Sequence, residues 1–249
     1  MSNHIHQYYP VFTYFANQLD QSSEWWTDKK VLDFGGNCGN ILRDPNCTIK
    51  HENYYCLDIS SAAIEKGRED FPEAHWHHYN RFNIAYNFDG NKDEPFPVFS
   101  EKFDMILIYS VFTSTSRSEM IRCINLELLP LLDHAGILIN TYLSLNNYGV
   151  LKGFLNKRQT KKEDQINILN KIYGKEYFYL IGEDIVSTEE DFINYNNQGW
   201  ALSFYKDEEI CRIFPDCEIK SFKLSTDGQR TKLVHHSMLI CARVDKIQF

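Results

Sequence analysis

The sequence contains no long apolar run. Stretches such as MILIY and ILI fall far short of the ~20 residues that a membrane-crossing helix needs. Its first residues, MSNHIHQYYP, have neither a basic start nor an apolar core, so no signal peptide is expected. A surplus of positive charge is also missing. Lys and Arg total 26 against 34 Asp and Glu, a formal net charge of -8, which argues against nucleic acid as a partner. Lys157, Arg158, Lys161 and Lys162 do cluster, but Glu163 and Asp164 follow at once, as on a solvated helix start. There is no C-x-x-C, and the seven cysteines are an odd number. Free thiols in a reducing cytosol are expected rather than disulfides, hence a cytoplasmic protein. A zinc set is lacking as well. HWHHY carries His75, His77 and His78 without Cys or carboxylate at ligand spacing, so polar edge-strand residues and no metal are expected. No repeat or low-complexity tract occurs.

What is present is ordinary in amount and patterned in order. The 249 residues are 43% apolar and 24% charged, which suits one domain with an insertion. Residues 8 to 26 place Phe12, Phe15 and Leu19 at helical spacing after Pro10, so a helix with one apolar face is predicted. KKVLDF then reads as a strand, and Pro45 keeps any helix after it brief. YYCLD reads as a buried strand, SSAAIEKGREDF as a helix, AHWHHY (74–79) as an edge strand, and 83 to 100 as a long loop. FDMILIYS is the clearest strand. Ser116 and Glu119 have capping-box spacing before a helix over 117 to 132. Gly136 breaks the chain ahead of a strand at 137 to 143. Thr160 and Glu163 open a second such box for a helix at 161 to 173. KDEEICRIF reads as a helix, and CEIKSF and SMLICARV as two strands joined without one, hence antiparallel. Alternating strands and helices predict an α/β fold with a mostly parallel sheet. The boundaries expected are a helical cover over 1–28, a single domain over 1–249 and an insertion over 146–200.

Residues 31 to 40, VLDFGGNCGN, follow a strand with three glycines, yet Asp33 stands in front of them. A carboxylate ~5 Å from another unit negative charge costs about 3 kcal/mol at an effective dielectric of ~20. The loop therefore disfavours a phosphate and favours a cation. The second strand ends in Asp58, an acceptor suited to a ribose diol.

VLDFGGNCGN, YYCLDIS, FDMILIYSVFTS and LLDHAGILINTY, in that order, resemble the class I S-adenosylmethionine-dependent methyltransferases. The resemblance spans roughly residues 29 to 143 and, more weakly, 201 to 244. It implies a Rossmann-like seven-stranded sheet closed by a C-terminal antiparallel hairpin, and S-adenosyl-L-methionine as cofactor. The family's first motif has an acid followed by three alternating glycines. Here Asp33, Gly35, Asn37 and Gly39 hold those positions, so Asn37 replaces a glycine, and Gly36 is extra. Asn accepts a left-handed backbone better than most residues. By the resemblance, Gly35, Gly36 and Gly39 let the backbone approach the methionine part, and Asp33 helps hold its amino group. Asp58 takes the ribose hydroxyls and Ile59 packs on the adenine. Asn80, Arg81 and Phe82 stand where the family contacts the ring. Tyr109, Ser110, Val111 and Phe112 line the cofactor below the sulfonium.

The plainer meanings are a helix cap for Asp33 and a loop anchor for Phe82. His235 and His236 precede the last strand, at the ligand-bearing ends of the parallel strands if that strand is antiparallel. Either is a candidate base, and a surface pair at a turn is the alternative. Thr113, Tyr142 and Tyr205 are the next candidates for the acceptor on that face. The aromatic insertion, with Tyr148, Tyr173, Tyr177, Tyr179 and Tyr195, suits a lid over a small organic acceptor, of which secondary metabolism is one source. A packed subdomain explains it too. A methyltransferase-like binding module without catalysis and a nicotinamide-dependent oxidoreductase are the rival functions. Asp33, the missing G-x-G-x-x-G and the terminal hairpin count against the latter.

Overall fold

The computed structural model describes residues 11–83, 86–115 and 117–144, then the strand segments 178–181, 184–189, 192–197, 200–205, 217–224 and 237–243, and Ile210. Helices α1 (Val11–Leu19) and α2 (Ser23–Trp26) lead into β1 (Val31–Phe34). After them come β2 (Tyr54–Asp58), α3 (Ser61–Asp70), β3 (His75–His78), β4 (Phe103–Ile108), α4 (Arg117–Arg122) and β5 (Leu132–Ser144).

β1 to β5 form a parallel sheet in the order β3-β2-β1-β4-β5. Every residue of β1 and β2 is buried, as strands covered on both faces must be. On one face Val31, Tyr54, Met105, Leu107 and Ile139 pack with Phe12, Phe15 and Trp26 from α1 and α2 and Ile64 from α3. On the other, Leu32, Phe34, Ile106, Ile108 and Leu138 pack with Met120, Ile124 and Leu128. Each such apolar side chain contributes about 1.5–3 kcal/mol by leaving water. The strand order reverses between β1 and β4, and a crevice at such a reversal is where open α/β sheets take ligands.

Buried Asp44 fixes the position of α1. Its carboxylate accepts from the Thr13 N–H at 2.8 Å, the Thr13 hydroxyl at 3.1 Å and the Asn46 N–H at 3.0 Å. A first-turn donor of the helix is thus satisfied from 31 residues away.

Several boundaries differ from the sequence expectation. The N-terminal helix is two helices, separated where Asp20 takes φ 54°. No helix follows the glycine loop. Residues 36 to 46 run as successive turns, with Gly39 N–H on Gly36 O and Leu42 N–H on Gly39 O. Gly39 at φ 77° and the early Pro45 leave a helix no room. The helix expected over 117 to 132 is α-helical only to Arg122. It widens to a π-helix over Cys123–Leu128 and ends in a tight turn, Leu129–Leu131, at Pro130. β5 begins at Leu132, ahead of Gly136, and absorbs the early start by a register shift against Phe103 and Met105. Glu119 binds Arg81 and Arg122, while its expected capping partner Ser116 lies outside the described residues. So do the helices at 161–173 and KDEEICRIF, apart from Ile210.

Within the insertion and just after it lie β6 (Phe178–Ile181), β7 (Asp184–Glu189), β8 (Phe192–Asn197) and β9 (Trp200–Tyr205). They pair antiparallel in succession. The registers Ile181↔Asp184, Glu189↔Phe192 and Asn197↔Trp200 leave two residues per connection, the shortest hairpin length. β9 runs parallel to the end of β5. Of β10 (Cys217–Leu224) and β11 (Ser237–Arg243), β11 pairs antiparallel with both β5 and β10.

Gly67 of α3 faces the Trp76 indole so closely that a Cβ there would overlap the ring. Gly67→Ala therefore destabilises the chain by about 1–3 kcal/mol despite the better helix propensity of alanine. Urea unfolding measures it.

Candidate active site

The glycine loop closes the crevice between β1 and β4. Gly35 has φ 79° and donates its N–H to Leu57 O at 2.7 Å. The Val111 side chain, after β4, occupies the space where a Cβ on Gly35 would stand. Asn37 takes φ 56°, the left-handed backbone its sequence position called for. Its side-chain oxygen accepts from the Cys38 N–H at 2.9 Å, the local bond that makes Asn tolerable there.

Asp58 pins this loop. Its carboxylate takes the Asn37 N–H at 2.8 Å and the Ser60 N–H at 2.8 Å, one on each oxygen. With about four lone-pair directions on a carboxylate, one per oxygen remains for two further hydroxyl donors. Burial raises the Asp58 carboxyl, and the backbone donors of Ser60 and Asn37 oppose it.

Asp33 lies under the loop. The Tyr54 hydroxyl donates to its Oδ2 at 2.6 Å. A Cβ on Gly36 would stand 2.7 Å from the carboxylate and 2.8 Å from the Tyr54 oxygen, so only glycine lets the chain pass over the pair. Burial pushes the Asp33 carboxyl up to about 7; Tyr54 counteracts it and Asp58 adds to it. Among the described residues no lysine or arginine forms an ion pair with Asp33. Such a buried, uncompensated carboxylate fits a cationic ligand and opposes a phosphate. Asp33, Asp58 and the glycine cradle therefore fit S-adenosylmethionine.

The other expected residues lie around this centre. Ile59 is partly buried against the β4–α4 side of the core. Asn80 is exposed and its Oδ1 accepts from Asn87. Arg81 is paired with Glu119, which holds the chain after β3 to α4. Phe82 packs on Phe88 at 5.8 Å with the Lys92 ammonium 4.9 Å from its ring. Tyr109 turns toward α1 and meets Phe15 edge-on at 6.0 Å. Ser110 has φ 59° and gives its N–H to the Thr141 hydroxyl at 2.7 Å. Phe112 is buried against Phe34 at 5.8 Å. Thr113 is buried and donates to Ser110 O at 2.8 Å; Tyr142 and Tyr205 are fully buried on the same face. His235 and His236 lie outside the described residues. The described histidines of β3 serve structure: His75 stacks on Tyr55 at 4.1 Å, and among the described residues no cluster can hold a metal.

The sequence reading missed Tyr54 and Thr141. Tyr54 was recoverable, since Cys56 pairs with Asp33 and a residue two earlier shares that face. For Thr141 the signal was the polar pair Asn-Thr inside ILINTYL.

The reversal point of the parallel sheet thus carries a glycine loop, an acid beneath it and a second acid at the end of the next strand. Residues 32–138 match the family model described as a methyltransferase domain. The described sheet has the fold of S-adenosylmethionine-dependent methyltransferases, and S-adenosylmethionine is the cofactor that its two acids and glycine loop fit. No curated protein sequence matches it. Among solved structures, it is similar to the 1,6-didemethyltoxoflavin-N1-methyltransferase of Burkholderia thailandensis, with TM-score 0.54, 9% identity, and 95% of this chain and 77% of that one covered. The magnesium protoporphyrin IX methyltransferase of Synechocystis PCC 6803, with bound S-adenosylhomocysteine, gives TM-score 0.53 and 14% identity, covering 98% of this chain and 89% of that one.

Asp33 makes cofactor binding pH-dependent. The folded chain keeps the Asp33 proton up to pH about 7, whereas an unfolded chain loses it near pH 4. Stability of the protein alone accordingly falls as pH rises from about 4 to about 7. The cationic amino group needs the ionised form, so affinity for S-adenosylhomocysteine climbs over that interval by up to tenfold per pH unit, then levels. Asp33→Asn flattens both profiles, as calorimetry and thermal melts at stepped pH measure.

Asp58→Ala removes the carboxylate expected to take the ribose hydroxyls and releases Asn37. The loss in cofactor affinity is about 1.5–3 kcal/mol; unchanged titration calorimetry would exclude the role.

Proposed function

We propose that the chain transfers a methyl group to O, N or C of a small organic molecule. The observation that carries this reading is the pair of environments at the sheet's carboxyl ends. Asp33 and Asp58 face the loop between β1 and β2, while half-buried Ser110 and buried Thr113 follow β4, and buried Asn140 and Tyr142 lie near the end of β5. A cation-holding site beside polar and aromatic side chains suits an organic acceptor better than a polyanion, and the net charge of -8 agrees. Neighbours of the same fold include enzymes named for didemethyltoxoflavin and a magnesium porphyrin.

The bound cofactor supplies a methyl group on a sulfonium. The chain's own residues do the rest. Asp58 and the glycine loop orient the adenosine and methionine parts, Ile59, Asn80 and Phe82 flank the adenine, and Tyr109, Ser110 and Val111 border the reacting end. The contribution is alignment and exclusion of water. In this reading the sheet is seven-stranded with β10 and β11 as its hairpin, residues 1–28 cover one face, and 146–200 close over the acceptor. His235 or His236 takes the acceptor's proton. What supports the last point is register, because Ser237, the next residue, pairs with Tyr142, beyond the level at which β4 ends. Free thiols at Cys38, Cys47, Cys56 and Cys123 support a cytoplasmic setting.

Labelled methyl from S-adenosylmethionine, offered to fractionated cell extract, should enter the low-molecular-weight fraction. Label confined to RNA or protein would refute a small-molecule acceptor. With the acceptor in hand, alanine at the responsible histidine leaves cofactor affinity unchanged and lowers turnover by ~10²–10⁴-fold. A smaller loss in both variants means that positioning alone suffices.

A further inference from the structure

Asn140 lies on β5 level with Ile108, the last residue of β4, and with Leu239 of β11. It is 0% exposed. Neither its Oδ1 nor its Nδ2 has a hydrogen-bond partner among the described residues. Strand alternation puts it on the face of Leu138 and Tyr142, both in the core cluster that also holds Phe112 and Tyr205. Its chain neighbour Thr141, on the opposite face, accepts the Ser110 N–H, so this stretch of β5 is tied to the bend at the end of β4.

A buried carboxamide with both ends unpaired is an expense that folded chains rarely carry. Leucine has nearly the same shape and would fill the place without it. Each unmet polar group costs roughly 1–3 kcal/mol, and no neighbouring hydroxyl among the described residues offsets it. The position also matters. It lies beside the buried Tyr142, at the carboxyl end of the sheet and away from the Asp33–Asp58 pair.

We propose that Asn140 is a positioning residue for the methyl acceptor, and that the acceptor carries a secondary-amide or lactam edge. This rests on the methyltransferase reading above. A carboxamide offers one acceptor and one donor side by side. The group that satisfies both at once has a donor next to an acceptor, as an N–H beside a C=O in a ring. Asn140 Oδ1 receives the N–H and Nδ2 donates to the carbonyl. Two parallel hydrogen bonds fix the rotation of a flat ring, which one bond leaves free, and the ring then meets the methyl in one orientation.

The probes are S-adenosylhomocysteine, 2-pyridone and N-methyl-2-pyridone, with the intact chain and its Asn140→Leu variant. Titration with S-adenosylhomocysteine comes first, and both proteins should bind it equally. If the intact chain does not, the cofactor reading itself falls, and this proposal with it. In the presence of S-adenosylhomocysteine, 2-pyridone should give a saturation-transfer signal with the intact chain. The signal should drop at least tenfold with N-methyl-2-pyridone, which lacks the donor, and with N140L. N140L should also melt at least about 4 °C higher, since both unpaired ends of a buried amide are gone. A variant that melts lower, or does not fold, shows that Asn140 is satisfied inside the protein, by a buried water for instance, and overturns the proposal. So does equal binding of the two pyridones.

Discussion

The site depends on one carboxylate that does two jobs. Asp58 ends β2, and its oxygens hold the N–H groups of Asn37 and Ser60. The first bond fastens the glycine loop to the neighbouring strand, and the second starts α3. Charge-assisted bonds of this kind are roughly twice as strong as neutral ones. Without them the loop would lose this tie to β2. Asp33 is the complement. It is buried below the same loop with the Tyr54 hydroxyl as its donor, so one acid builds the cradle and the other gives it a preference for positive charge.

Much of this was legible in the sequence. An acid, glycines and a second acid 25 positions on at a strand end pointed to a ligand with a diol and a cation. Asn37 in place of a glycine was readable because few other residues accept φ near 56°. The alternation of strands and helices fixed the parallel order up to β5. These signals are local, carried by spacing and residue type.

What stayed hidden depends on partners distant in the chain. Nothing in GNCGNILRDPN says that a helix fails to form. That outcome depends on Gly39 and Pro45 locally, and on Asp44 being drawn to α1. The pairing of Arg81 with Glu119, 38 positions on, has no local signal. The contact of Phe112 with Phe34 is likewise set by the fold and not by spacing. The strands β6 to β9 were missed for a different reason. Their residues, as in FINYNN and WALSFY, mix polar and aromatic side chains without clean alternation, and strand preference is set by packing more than by composition.

The turns from Gly36 to Asn46 have a consequence for the order of assembly. A helix nucleates within its own sequence, but this segment has none to nucleate. Its fixed points are Asp58, 21 residues from Asn37, and Thr13, 31 residues from Asp44. Both anchors lie outside the segment, so loop closure must come before they form. The glycine loop therefore takes its final shape only once β2 and α1 have docked. A nascent or partly unfolded chain can own most of the sheet and still be blind to its cofactor.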